Sequence, residues 1–272
     1  MINTFQQMLS YPFLVNALVV GILVSLCASL LGVSMVLKRY SMIGDGLSHV
    51  GFAALAVAYA MNVAPLTVSI PVCVIAAFLL LRMNENSKLK GDAATALLCS
   101  GALAVGVMTI SLTSGMNTDV CNYMFGSILS MNKADVRLSI VLSIVVLILY
   151  LLFYNKIFAV TFDETFAKAT GTRSNLYNML IALLTAITVV LGMRMMGTLL
   201  ISSLIIFPAL SSMRICKHFR SVIICSAMFS VVGFVVGIYF SYMHSTPTGA
   251  SIVIADVIMF ILFNLVEKIK AR

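Results

Sequence analysis

Long apolar stretches alternate with short polar connections along the whole sequence. A helix needs roughly 20 apolar residues to cross a bilayer, and nine stretches of about that length can be counted. The pattern therefore predicts an all-α, polytopic membrane helical bundle in a single transmembrane domain, 1–272. The predicted spans cover residues 13–37, 46–61, 66–81, 93–113, 138–158, 176–191, 198–213, 221–242 and 251–266.

The second and third stretches are short for complete crossings of the hydrocarbon. A re-entrant segment, or two tilted helices near residues 44–64, would also account for them. A bundle of eight or ten helices therefore stays an alternative to nine.

Composition narrows the class of protein further. With 61% hydrophobic and 10% charged residues, the chain has too little polar surface for a water-soluble catalytic domain. The net charge of +8 comes from basic residues scattered between apolar runs, so we expect a lipid membrane and no nucleic acid as partner. Most cysteines lie in apolar runs, which favours reduced thiols that serve in packing. The six cysteines of the chain are Cys27, Cys73, Cys99, Cys121, Cys216 and Cys225.

Lysine and arginine predict the orientation, because these residues are retained on the cytoplasmic side. With nine spans and the N-terminus outside, fourteen of the seventeen basic residues face the cytoplasm, as does the C-terminus. Only Lys133, Arg137 and Arg194 are then outside. We expect a multi-pass protein of a bacterial cell membrane in this orientation.

The source of energy for any transport must lie outside this chain. The sequence has no GxxxxGK[ST] phosphate loop and no GxGxxG after a strand, so we expect neither an enzyme nor a bound nucleotide. If the chain transports a solute against its gradient, the energy must come from an ion gradient or from a separate motor subunit.

Gly233 and Gly237 form a GxxxG pair within the eighth predicted span. Such a pair allows two helix backbones to approach closely. Packing within the chain is the favoured interpretation, and a seam between two copies is the alternative.

A short helix is predicted in the loop between the fifth and sixth spans, at about 161–172. Thr161 or Asp163 can cap it, and Gly171 can end it. Phe166 and neighbouring alanines give it an apolar face suited to a groove on a partner. Helices that lie on lipid are the alternative, but they are usually more basic than this one.

Asp45 and His49 are the strongest candidate metal ligands. Their i, i+4 spacing places both side chains on one face of a helix, about 6 Å apart at Cβ. Carboxylate and imidazole together suit zinc, manganese or iron. The alternative is that Asp45 caps the helix and His49 forms a structural hydrogen bond.

Two further residues are weaker candidates for a metal path. Asp256 is an isolated carboxylate within the ninth span, where an ionisable group suggests function by default. A hydrogen-bonded structural role accounts for it equally well. His244 precedes the ninth span near the outer surface and could meet an arriving metal, or be a solvated loop residue. The sequence shows no CxxC pair or Cys/His cluster, so a structural zinc cage is not expected.

Several motifs in order along the chain resemble the permease subunits of the zinc, manganese and iron ABC importers, the metal-uptake ABC permease family. The resemblance covers nearly the whole chain. The matching segments are VLKRYSMIGDGLSH at 36–49, DAATALL at 92–98, FGSIL at 125–129, DETFAKATG at 163–171, GTLLISSLIIFPA at 197–209 and PTGA at 247–250.

The resemblance implies an ABC importer permease fold and a homodimer that works with two ATPase subunits and a metal-binding solute-binding protein. ATP would be held by the partner, and the divalent metal ion would be cargo. Asp45 and His49 would line the translocation path, and the helix at about 161–172 would be the coupling helix. The residues expected to contact the ATPase are Asp163, Glu164, Phe166, Ala167, Ala169 and Gly171. The alternatives are an ion-coupled secondary transporter without an ATPase and an ABC permease for a metal chelate or siderophore.

Overall fold

The computed structural model of the chain describes residues 10–86, 91–113 and 133–270. Within these ranges the chain forms eleven α-helices and no strand. Two predicted features lie outside the described residues, namely the FGSIL motif and Cys121. The helices are α1 Pro12–Leu37, α2 Ser41–Ala60, α3 Pro65–Asn86, α4 Gly91–Leu112, α5 Lys133–Leu152, α6 Tyr154–Phe162, α7 Glu164–Ala169, α8 Ser174–Met196, α9 Thr198–Ile215, α10 Phe219–His244 and α11 Thr248–Lys270.

Nine of the described helices are long and apolar enough to cross a membrane, namely all except α6 and α7. The predicted all-α bundle of nine spans is confirmed. The second and third spans are helices of 20 and 22 residues, or about 30 Å or more at 1.5 Å per residue. The re-entrant alternative is therefore wrong. The apolar pattern underestimated α2 because its first five residues include Ser41, Gly44 and Asp45.

The fifth predicted span, 138–158, was wrong at its C-terminal end. The membrane helix α5 ends at Leu152, and Phe153 separates it from the nine-residue helix α6. The apolar pattern continues through this break because α6 packs its aromatic side chains together, with the rings of Phe158 and Phe162 4.9 Å apart. Neither glycine nor proline marks the turn.

Four helices form the centre of the bundle. More than half of the residues in the most apolar stretch of α1, α2, α8 and α9 are buried, whereas α4, α5 and α11 are largely exposed at the periphery. Close backbone approach holds the centre together. A Cβ atom on Gly32 of α1 would lie 2.0 Å from the carbonyl oxygen of Ile205 in α9, so only glycine permits this crossing.

The GxxxG pair packs within the chain, as the favoured interpretation predicted. A Cβ atom on Gly237 would lie 2.4 Å from the Cα atom of Ile252, and one on Gly233 would lie 2.2 Å from Oδ1 of Asp256. Both contacts join α10 to α11. The pair therefore brings the last two helices together, which places Asp256 beside the backbone of α10.

Ion pairs identify which helix ends share a side of the bundle. Lys38, directly after α1, approaches Glu164 at the start of α7, with Nζ and Oε2 3.5 Å apart. On the opposite side, Arg194 near the end of α8 pairs with Asp135 at the start of α5, with Nη2 and Oδ2 2.8 Å apart. The short helix α7 thus lies at the same side as the loop that leads into α2.

Candidate metal-binding cluster

Asp45 and His49 lie side by side within α2. The residue preceding this helix is Tyr40, so Asp45 is already in the second turn and does not cap the helix. The Nε2 atom of His49 lies 3.9 Å from Oδ2 of Asp45. Both side chains are partly accessible, 36% for Asp45 and 21% for His49. One of the central helices of the bundle thus carries a pair of polar, accessible side chains.

Cys99 of α4 completes a cluster with this pair. One ligand atom from each of Asp45, His49 and Cys99 can be chosen so that all lie within 4.8 Å of one another. No other group of three such residues occurs within residues 10–86, 91–113 and 133–270. The structure therefore brings both predicted ligands together and adds a thiol that the sequence analysis had assigned to packing.

Gly46 explains why α4 can come so close to α2. A Cβ atom on Gly46 would lie 2.9 Å from Cγ2 of Thr95 and 3.7 Å from Sγ of Cys99. Thr95 and Cys99 are four residues apart, so they occupy one face of α4. This polar face of an otherwise apolar helix is the signal in the sequence that could have indicated Cys99.

Ser202 of α9 fixes the carboxylate of Asp45. Its hydroxyl donates a hydrogen bond to Oδ1 of Asp45 over 3.0 Å. The other carboxylate oxygen, Oδ2, is the one nearest His49. Such an outer contact orients a ligand and leaves its second oxygen available for an ion. The first serine of the SS pair in the GTLLISS motif thus contributes directly to the geometry of the cluster.

The cluster offers one oxygen, one nitrogen and one sulfur ligand. Imidazole and carboxylate bind zinc, manganese and iron, and a thiolate favours softer ions. Three protein ligands leave coordination positions open, in contrast to the four ligands of a structural zinc site. An open site can accept an ion and release it again.

Asp256 and His244 lie apart from this cluster. Asp256 is buried in α11, where Oδ2 accepts a hydrogen bond of 3.1 Å from Ser203. Its Oδ1 atom has no hydrogen-bond partner among the described residues. His244 is exposed at the end of α10 and stacks on Phe240 with the ring centroids 4.3 Å apart. Their predicted roles on a metal path stay predictions.

The short helix α7 has the cap that one alternative predicted. Oδ1 of Asp163 accepts a hydrogen bond of 2.8 Å from the backbone N–H of Phe166, whereas Thr161 lies inside α6. Gly171 follows the helix with a φ of +79°, a conformation that glycine adopts readily. The helix ends at Ala169, so it is shorter than the predicted 161–172.

The side chains of α7 divide between an outer and an inner face. Phe166 is 65% exposed, whereas Ala167 is completely buried. Ala167 therefore packs the helix onto the bundle and offers no surface to a partner. Ala169 is exposed. The apolar surface that α7 presents outward is centred on Phe166.

Glu164 connects α7 to two other parts of the bundle. Its Oε2 atom accepts a hydrogen bond of 3.2 Å from Asn178 of α8 and lies 3.5 Å from Nζ of Lys38. Lys38 also donates a hydrogen bond to Asn178. Burial acts to raise the pKa of Glu164, but the hydrogen bonds from Lys168 and Asn178 and the charge of Lys38 outweigh it and lower the pKa. The carboxylate is therefore ionised at neutral pH.

Comparison with known families decides the class of the protein. The model of the ABC 3 transport family matches residues 10–267. The chain belongs to the ABC 3 transport family. The match confirms the resemblance to metal-uptake ABC permeases that the sequence motifs indicated. It identifies the chain as a multi-pass membrane permease. The match includes every helix described above except for the last three residues of α11.

Curated members of the family are similar over almost their entire length. A probable metal transport system membrane protein of Thermotoga maritima is 32% identical, with 96% of this chain and 92% of the relative covered. The manganese transport system membrane protein MntC of Halalkalibacterium halodurans is 29% identical, with 95% and 88% covered. The high-affinity zinc uptake system membrane protein ZnuB of Haemophilus influenzae is 27% identical, with 93% and 97% covered.

Solved structures share the fold. PsaBC from Streptococcus pneumoniae, determined in complex with Fab, matches with a TM-score of 0.86 and 28% identity over 97% of this chain and 95% of that one. A putative metal-chelate type ABC transporter in an inward-facing conformation matches with a TM-score of 0.76 and 15% identity, over 97% and 89%. At 15% identity, the similarity to the metal-chelate type transporter shows a shared fold alone. The nine membrane helices among the described residues thus have an ABC permease fold.

Proposed function

We propose that this chain is the membrane-spanning subunit of an ATP-driven importer of divalent transition-metal ions, with zinc, manganese or iron as cargo. The observation that carries the proposal is the pair of Asp45 and His49 on one face of a central helix, with their ligand atoms 3.9 Å apart. Relatives named for manganese and zinc transport support the choice of cargo. The motor and the binding protein are separate chains.

The cluster is suited to passage of an ion and not to storage. A charge inside a membrane costs several kcal/mol unless polar groups replace its water. Asp45 and His49 supply such groups, while their partial exposure keeps the site open. In a homodimer, the two ligands of each copy become four around the axis. The ion would be held briefly and then released.

The short helix α7 is the docking point for the ATPase subunits, of which we propose two. Phe166 is its exposed apolar side chain and would enter a groove on the partner. Asp163 and Gly171 set the ends of the helix, and Glu164 ties it to Lys38. The ATPase would move α7 by closing on ATP.

A continuous chain of contacts leads from α7 to the metal ligands. Glu164 approaches Lys38, and Lys38 lies three residues before Ser41, the first residue of α2. Asp45 and His49 follow in the same helix. A shift of α7 would thus tilt the start of α2 and change access to the ion, a hinge or shear transition.

Orientation follows from the basic residues. The side that carries α7 and Lys38 is the basic side, so we place it in the cytoplasm and the N-terminus outside. The relatives named above come from bacteria, which supports a bacterial plasma membrane. A solute-binding protein would deliver the metal at the outer side, near His244.

The test is uptake of several metals in metal-starved cells that express this chain with its ATPase and binding protein. Three forms are compared: wild type, Asp45→Ala/His49→Ala, and wild type with an ATPase-dead partner. We expect one dication to accumulate in the wild type and both lesions to abolish it while the chain stays in the membrane. Uptake that survives the dead ATPase would refute the motor assignment and favour an ion-coupled transporter.

A further inference from the structure

The sulfur of Cys99 lies close to the carboxylate of Asp45 and the imidazole of His49. Its Sγ atom belongs to the group of ligand atoms within 4.8 Å of one another, and it comes from α4, a different helix from the one that carries Asp45 and His49. The three residues thus approach one point from two helices. None of the thiols of Cys27, Cys73, Cys216 and Cys225 belongs to this group of ligand atoms.

The remaining described thiols are engaged in helix packing. Cys27 donates a hydrogen bond to the carbonyl oxygen of Ser143 over 3.4 Å, and Cys73 donates one to that of Leu47 over 3.6 Å. Cys216 contacts Cys225 with the two sulfurs 3.2 Å apart. Cys99 differs because a carboxylate and an imidazole are its polar neighbours.

We propose that Cys99 is the third metal ligand of each chain and that its thiolate biases the importer toward zinc and against manganese. This inference rests on the proposed function, since it assigns the cargo of the same path. A thiolate is a soft ligand that zinc accepts readily, whereas manganese prefers carboxylate and carbonyl oxygens. Asp45 and His49 alone would not separate the two metals.

The separation of the three ligand atoms fits one zinc ion after small adjustments. Zinc binds nitrogen and oxygen at about 2.0 Å and sulfur at about 2.3 Å in tetrahedral geometry. Two ligands of one zinc ion are therefore roughly 3.3–3.5 Å apart. The ligand atoms, which are up to 4.8 Å apart, must approach one another by about 1 Å, which side-chain rotation in a partly exposed site allows.

Charge also favours a thiolate here. When zinc binds, the Cys99 thiol gives its proton to water and the sulfur forms a bond to the metal. The two negative charges that the thiolate and Asp45 supply within one chain then balance the two positive charges of an ion held by that chain. A neutral complex is much less costly within a membrane bundle than a charged one.

The position of α4 holds the thiol in place. Gly46 leaves the space into which Thr95 and Cys99 fit, with ordinary contact between the Cys99 sulfur and the position of a Cβ atom on Gly46. The carboxylate of Asp45 is fixed from the other side by Ser202. Two of the three ligands are thus positioned before the metal arrives.

The experiment is binding of Co²⁺, Zn²⁺ and Mn²⁺ to the purified full-length chain in lipid nanodiscs. Co²⁺ reports on the ligands because a bond to a thiolate produces a strong sulfur-to-cobalt absorption band. The variants are Cys99→Ser, Cys99→Ala and Asp45→Ala/His49→Ala. Cys225→Ser is the matched control, since it removes a half-buried thiol outside the cluster.

We expect the sulfur-to-cobalt band in the wild type and in Cys225→Ser, and its loss in both Cys99 variants. Zinc affinity should fall at least about tenfold in Cys99→Ser, since even the loss of an outer contact costs that much. Manganese affinity should change little. The ratio of zinc to manganese taken up by cells should fall accordingly.

The outcomes separate this inference from the proposed function. If both Cys99 variants keep the band and the zinc affinity while Asp45→Ala/His49→Ala loses binding, Cys99 is not a ligand and the metal path stands. If Asp45→Ala/His49→Ala also binds zinc like the wild type, the path assignment itself fails. A fall in manganese affinity equal to that for zinc would overturn the assigned selectivity.

Discussion

The hydroxyl of Ser202 donates a hydrogen bond of 3.0 Å to Oδ1 of Asp45. This contact joins α9 to α2 and leaves Oδ2 of Asp45 directed toward His49. On the proposed metal path, Ser202 would therefore orient a ligand without being one itself. Its neighbour Ser203 bonds to a different carboxylate, that of Asp256.

Replacing Ser202 by alanine should lower metal uptake, because the carboxylate of Asp45 loses the contact that orients it. Loss of an outer contact of this kind typically costs about 10–100-fold in metal affinity. When uptake is measured over a range of metal concentrations, the variant should transport less than the wild type mainly at low metal concentrations. Ser202→Thr keeps a hydroxyl and should restore most of the uptake; equal loss in both variants would contradict the positioning role.

Gly46→Ala should weaken the metal site by displacing α4. The new Cβ atom would lie 2.9 Å from Cγ2 of Thr95, which is too close for ordinary packing. Overpacking of this kind costs about 1–3 kcal/mol. Gly101→Ala, in α4, is the control, because no atom lies within 4 Å of its added Cβ.

Thr95→Ser removes the methyl group that meets the new Cβ atom. It should therefore rescue Gly46→Ala in a double variant, as judged by zinc binding in nanodiscs. A double variant as defective as Gly46→Ala would show that the contact between α2 and α4 is not what limits the site.

Phe166→Asp should uncouple ATP hydrolysis from transport. The side chain is 65% exposed, so the change leaves the bundle intact, but it places a charge in the groove proposed for the ATPase. Central side chains at interfaces contribute about 2 kcal/mol or more. Uptake should be lost while the thermal unfolding of the purified chain is unchanged; Phe166→Leu keeps an apolar contact and should retain uptake. Normal uptake by Phe166→Asp would refute the docking assignment.

The attachment of α7 should weaken in acid. Because the pKa of Glu164 is lowered in the folded chain, the ionised carboxylate contributes stability above the usual pKa of glutamate, and this contribution is lost as the pH falls through the lowered value. Thermal unfolding of the wild type and of Glu164→Gln should therefore differ at neutral pH. The difference should shrink below about pH 4.

Glu267→Gln serves as the control for this pH dependence, because Glu267 pairs with Arg214 and not with α7. Uptake by Glu164→Gln should also fall at neutral pH, since the link from α7 to Lys38 loses its charge. A difference between wild type and Glu164→Gln that does not vary with pH would contradict the role of the ionised carboxylate.

The sequence predicted the features that depend on local pattern. The nine apolar stretches correspond to the nine membrane helices found in the described part of the chain, and the i, i+4 spacing correctly placed Asp45 beside His49 on one face. Asp163 was one of two predicted caps, because a carboxylate three residues before a backbone N–H is a local signal. Such features require only neighbours in the chain.

Features that depend on packing between helices were missed. Cys99 lies in an apolar run, and only the approach of α4 over Gly46 brings its sulfur to the cluster. The bonds from Ser202 to Asp45 and from Lys38 to Glu164 likewise join residues more than 100 positions apart. The break at Phe153 was missed because no turn residue marks it.

The most direct test of the central claim is ATP-driven metal transport in proteoliposomes that contain this chain with its ATPase and binding protein. Wild type is compared with Asp45→Asn/His49→Gln, which preserves side-chain size and polarity but removes two metal ligands. We predict that the variant hydrolyses ATP but transports no metal. Metal transport by the variant at the wild-type rate would contradict the claim that Asp45 and His49 form the path.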